Sequence, residues 1–134
     1  MKEKTLIIIL RISGLMLITA FIAVFLPYET MARIHHLMGL GKLPQIPILD
    51  YLARSVSFFY GMHGVIILYI SFNLMRYLQF LKLFCYLGFA FGIAIFFIDI
   101  TAPMPTYWSF GEGPFIMSLN MVVYVLVMRL EREN

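Results

Sequence analysis

Between Cys85 and Ile98 the chain carries no charged residue, and Gly88 and Gly92 interrupt its bulky apolar side chains four positions apart. A helix rises about 1.5 Å per residue, so about 20 such residues cross a hydrocarbon layer of roughly 30 Å. With its flanks this run reaches from about Tyr77 to Ile100. Three further runs of the same kind occupy about Thr5–Leu26, Tyr51–Met75 and Glu112–Leu130. The expectation is an all-α, polytopic membrane protein, a four-transmembrane-helix bundle in one domain over residues 1–134, with helices at about 5–26, 51–75, 77–100 and 112–130. Composition agrees: 62% of the residues are apolar and 13% charged, and mean hydropathy is +0.91. A soluble domain of this length needs more charge to cover its surface.

The first run could be mistaken for a secretory leader. It is too long for one, contains Arg11 and lacks a small-x-small cleavage site, so it reads as a retained helix. Ser13, Met16, Ala20 and Ala23 share its small face, which suits helix contact. Ile18, Phe21, Ile22 and Phe25 fill the face that suits lipid. Pro27 ends it. The next segment is too polar to span, and Glu29–Met38 is expected to form a short amphipathic surface helix between helices 1 and 2, stopped by Gly39 and Gly41. His35 and His36 are adjacent and so diverge on a helix, whereas metal ligands on one face are three or four apart; no metal site is expected. Asp50 is a natural N-cap for the second spanning helix.

On that helix Ser57, Tyr60, Gly64, Ile67 and Ser71 form a small and polar face opposite Phe58, Met62, Val65, Ile66 and Tyr69, with His63 at its edge. A mid-span histidine is either a hydrogen-bonded structural residue or a functional one. On the third helix Leu81, Cys85, Gly88, Gly92, Ile95 and Asp99 fall on one stripe, and Tyr86, Ala90, Ile93 and Phe97 on the other side. Gly64, Gly88 and Gly92 are the expected helix-packing positions. A Pro- and aromatic-rich loop carrying Tyr107 and Trp108 leads to Glu112 and Pro114, read as the start of the last helix. There Met117, Asn120, Met121, Tyr124 and Met128 oppose Phe115, Leu119, Val122 and Leu126.

Lys2, Lys4, Arg76, Lys82, Arg129 and Arg132 flank one side of this arrangement. Arg33, Lys42 and Arg54 are on the other, whose second loop has no Lys or Arg. The positive-inside bias places both termini in the cytoplasm of a multi-pass protein of the inner (cytoplasmic) membrane. The net charge of +3 is scattered over helix ends and forms no basic stripe, which argues against nucleic acid. A single cysteine excludes an internal disulfide and a thiolate metal cluster.

Depth along the helices puts Arg54, Asp99 and Glu112 at the outer mouths, with Tyr60 and Asn120 below them and His63 a turn deeper. If helices 2, 3 and 4 meet along their small faces, Arg54, Tyr60, His63, Asp99, Glu112 and Asn120 line an outward-facing pocket for a lipid-like or quinone-like molecule. Arg54 could equally be a clamp stapling helix ends through Asp50, Asp99 or Glu112. His63 with Tyr60 is the only pair able to act as acid and base, and no HExxH, GxSxG or Gly-rich phosphate loop is present. No catalytic residue and no cofactor are assigned.

YLARSVSFFYGMHG, and PMPTYW followed by EGP, resemble an uncharacterised family of small bacterial four-helix membrane proteins. The whole-chain layout, with a surface segment after the first helix, is similar to DoxX-type proteins. That second resemblance implies association with a membrane oxidoreductase or with quinone chemistry. Small size, no soluble domain and strong packing stripes lead to the primary expectation, a non-catalytic accessory or assembly subunit. Its partners would be the lipid bilayer and a membrane protein or a second copy of the chain.

Overall fold

A computed structural model describes residues 2–102 and 104–132. All secondary structure among them is helical: α1 (Lys2–Ile18), α2 (Ala20–Phe25), α3 (Tyr28–Leu37), α4 (Pro47–Phe72), a 3-10 turn at Leu74–Tyr77, α5 (Leu78–Thr101) and α6 (Thr106–Glu131). Four stretches are long and apolar enough to cross a membrane: Glu3–Phe25, Pro47–Phe72, Leu74–Thr101 and Thr106–Glu131. The residues form two compact units. One is Leu10–Ser71; the other joins the residues up to Ile9 with those from Phe72 onward.

The element boundaries differ from the sequence expectation where local chemistry intervenes. The first span breaks at Thr19, whose hydroxyl donates to the Met16 carbonyl at 2.6 Å and competes with the helical ladder. Helix α4 begins at Pro47, four residues before Tyr51. Proline suits the first helical position because its missing N–H would have no helical partner there. Asp50 is therefore inside the first turn and is not the N-cap, its own N–H already reaching the Ile46 carbonyl at 3.3 Å. The helix stops at Phe72, short of Met75, because Asn73 leaves helical geometry at φ −136°. The largest departure is at α6, which starts at Thr106, six residues ahead of Glu112. Pro105 in extended geometry caps it by accepting the N–H groups of Trp108 and Ser109. Tyr107 and Trp108 are thus the first turn of a helix and not a loop, and Pro114 lies within it. A short helix is present at the expected place as α3, and Gly39, with φ +74°, ends it in the left-handed region open to glycine.

In the Leu10–Ser71 unit, α1 and α4 cross at two glycines. A Cβ on Gly64 would lie 2.7 Å from the Gly14 carbonyl oxygen, and one on Gly14 would lie 3.0 Å from that of Gly64. One turn along, the Phe21 ring covers Gly61 and meets the Phe58 ring edge-on at a centroid distance of 5.3 Å. Phe21 therefore packs inward, while Met16, expected on the packing face, is two-thirds exposed. The buried stripe on α1 is Leu6, Leu10 and Gly14, rotated by one position from Ser13 and Ala20. Among the α4 residues expected to turn inward, Gly64 and Ser71 are buried. Phe58, Met62, Val65 and Tyr69 are exposed.

In the other unit α5 and α6 form an antiparallel pair. Leu81, Cys85, Gly92 and Asp99 are buried along the stripe read from the sequence, and Tyr86, Ala90, Ile93 and Phe97 are exposed. A Cβ on Gly92 would meet Met117 Cγ at 2.7 Å and the Gly113 carbonyl oxygen at 2.9 Å. The reciprocal Cβ on Gly113 would meet the Gly92 carbonyl oxygen at 2.7 Å. Such mutual absence of side chains lets two backbones touch. The glycines of α5 are thus filled from within the chain. At the far end Lys82 Nζ pairs with Glu131 Oε2 at 2.6 Å, and Gln79 donates to Glu131 Oε1 at 3.1 Å. The Tyr86 and Tyr124 hydroxyls meet at 2.8 Å.

Candidate functional site

Of the six residues expected to bind a ligand, Arg54, Tyr60 and His63 belong to the Leu10–Ser71 unit, and Asp99, Glu112 and Asn120 to the other. Each trio has its own geometry.

Arg54 projects from the second turn of α4. Its Nε donates to both Asp50 oxygens at 3.0 and 2.9 Å, Nη1 to the Val24 carbonyl at 2.5 Å and Nη2 to the Leu26 carbonyl at 3.1 Å. The last carbonyls of a helix lack intrahelical partners. A rigid guanidinium fork set across them ties the end of α2 to α4, and Asp50 one turn away fixes the fork. This is the clamp geometry, with the guanidinium occupied by the chain itself. Tyr60, half-buried, and His63, exposed, follow three residues apart on the same helix.

Asn120 sits over Gly88 in the α5–α6 seam. A Cβ at Gly88 would overlap the Asn120 carboxamide, whose Nδ2 donates to the Ile116 carbonyl at 2.8 Å. Glu112, in the second turn of α6, accepts the Trp108 indole N–H on Oε2 at 2.6 Å, an i to i+4 contact within the helix. Tyr107, Trp108, Gly111, Glu112, Phe115 and Ile116 line an open, mostly apolar groove along that helix. Asp99 is the exception to this pattern of satisfied groups. It lies in the last turn of α5, is 5% exposed, and its Oδ2 is buried without a hydrogen-bond partner. It stands within electrostatic range of Glu112. No group of three or more potential metal ligands occurs among the described residues.

Sequence reading did not single out Gly14, Gly61, Ser109 and Gly113, all buried at helix contacts. Ser109 and Gly113 make a small-xxx-small pair facing α5. That signal was legible only with the helix begun at Thr106, and the two prolines hid it.

Comparison with known proteins finds no matching family model, no matching curated sequence and no matching solved structure.

Proposed function

We propose that the chain is a multi-pass membrane protein acting as a non-catalytic accessory or assembly subunit of a membrane complex, in an inner membrane with both termini cytoplasmic. The observation that carries this reading is the fate of its polar side chains. Arg54, Glu112 and Asn120 spend hydrogen bonds on the chain's own helix ends and seams. A catalytic centre instead needs an acid, base or nucleophile held toward a substrate. Large apolar side chains meanwhile remain exposed on every spanning helix, among them Met16, Phe59, Phe97 and Phe110 at 62–66%. Such surfaces suit lipid and the flank of another membrane protein.

Topology is tested with the Cys85→Ala background and single cysteines placed near either end of α6. A membrane-impermeant maleimide should label a cysteine in the segment before Thr106 from outside intact cells and leave one near Glu131 unlabelled. The reverse pattern refutes the orientation. Assembly is tested by crosslinking in native membranes, where an adduct heavier than the 15.6 kDa chain is expected. Uncrosslinked chain alone, at crosslinker doses that capture a known complex, contradicts it.

A further inference from the structure

The charge on the second unit is distributed unevenly. Between Lys82 and Arg129 there is no Lys, Arg or His, yet Asp99 and Glu112 both fall in that interval. Each lies seventeen residues along its helix from the nearer of those two bases, about 25 Å at the helical rise. Lys82 is moreover engaged by Glu131. Asp99 also occupies the last turn of α5, where the helix dipole is negative and no basic residue answers it. The Asp99 and Glu112 carboxyls therefore fall toward the same end of the antiparallel α5–α6 pair.

The second observation is the buried, unpartnered Asp99 Oδ2. Asp99 continues the α5 stripe of Gly92 and Phe96 that packs on Gly113 of α6, so its carboxyl enters the seam. A buried acceptor with no donor is destabilising by an amount comparable to a lost hydrogen bond or more. The contact of Gly113 with Gly92 and Phe96 sets the antiparallel register that brings the Glu112 turn of α6 level with the last turns of α5. The Glu112 Oε2 is fixed by the Trp108 indole. Trp108 and Tyr107 add aromatic faces that attract cations.

We propose that the end of α5 and the adjoining flank of α6 bind a primary ammonium group, with Asp99 and Glu112 as its carboxylate acceptors. A hard metal ion wants six or more oxygens, more than these two carboxyls supply. A primary ammonium brings three N–H donors, which match Asp99 Oδ2, Glu112 Oε1 and a terminal carbonyl of α5. The group can belong to an aminophospholipid head or to a free alkylamine, because both present the same cation. The site stands apart from the assembly reading, since a subunit without catalysis can hold such a group.

The test uses the purified, delipidated full chain in maltoside micelles, so no partner protein enters. Native mass spectrometry compares retention of phosphatidylethanolamine and phosphatidylcholine with identical acyl chains. Charge-assisted hydrogen bonds lost on methylating the nitrogen correspond to about a 10-fold or greater preference for the ethanolamine lipid. Asp99→Asn should bring that ratio close to one, and Glu112→Gln should lower it several-fold. Glu112 is half-buried, so the second variant serves if the first does not fold. Displacement by hexylamine assigns the site to free amines as well, while ethanolamine-lipid preference without displacement assigns it to the lipid head. Equal retention of the two lipids by the unmodified chain, with no hexylamine bound, overturns the proposal. So does an unchanged ratio in both variants.

Discussion

Gly111 and Gly113 stand two residues apart on one helix, and replacing each by alanine is expected to move stability in opposite directions. A Cβ at Gly111 meets nothing within 4 Å. The substitution there gains helix propensity, up to about 1 kcal/mol. At Gly113 the same methyl would lie 2.7 Å from the Gly92 carbonyl oxygen, 2.8 Å from Phe96 Cβ and 3.0 Å from Phe96 N. Ordinary contact begins near 3.4 Å, so α5 and α6 must separate by roughly 0.7 Å. A gap of that size forfeits a quarter to a half of each dispersion contact along the seam. Backbone atoms cannot swing aside, which places the overpacking cost in the upper part of the range of about 1–3 kcal/mol. Gly113 also precedes Pro114, where a Cβ crowds the proline ring in helical geometry and adds to the same side. Propensity is common to both positions, so the difference between the variants measures packing together with the smaller crowding against Pro114. It should reach about 2–3 kcal/mol, with Gly113→Ala the less stable. Reversible unfolding in mixed micelles, followed by circular dichroism, gives both values. Equal shifts, or a stabilised Gly113→Ala, would refute the backbone contact between α5 and α6.

Further perturbations follow from individual contacts. Gly88→Ala should destabilise by about 1 kcal/mol because the new methyl overlaps the Asn120 carboxamide, and adding Asn120→Ala should recover most of that loss; a double-mutant cycle with no coupling rejects the contact. Arg54→Lys retains the charge but loses the fork across Asp50, Val24 and Leu26, so its thermal midpoint should fall, and that of Arg54→Met should fall further; an unchanged midpoint in both variants rejects the clamp. Tyr86→Phe and Tyr124→Phe should each lower the thermal midpoint slightly, and the double variant little more than either alone, because one hydrogen bond is shared.

Much of the helical plan was legible in the sequence, because apolar period and length alone determine which segments form long helices. On the α5 stripe Leu81, Cys85, Gly92 and Asp99 are buried and Gly88 and Ile95 half-buried, because the run is uninterrupted by proline and its glycines mark the packing face. On α1 the reading rotated by one position. Nearly every residue there is apolar, so the contrast that marks a face is weak, and Gly14 next to Ser13 decided it only through its contact with Gly64. At α6 the prolines misled. Pro114 resembles a first helical residue, whereas the helix opens on Pro105 as its N-cap and a glycine before Pro114 eases the ring into the helix. The candidate site was legible as residue types and not as contacts. That Arg54 would reach the carbonyls of Val24 and Leu26 depends on tertiary placement across about 30 residues, which no local pattern encodes. Asp99 was placed correctly on the packing stripe, and its unpaired oxygen came only with the structure.

The accessory-subunit reading meets its most direct test in native mass spectrometry of the protein released from its own membrane in mild detergent. The account predicts a second polypeptide, or a second copy of the chain, in one stoichiometric assembly, with complex mass preserved in Tyr86→Phe. A bare 15.6 kDa monomer across detergents that keep other membrane complexes intact would contradict it.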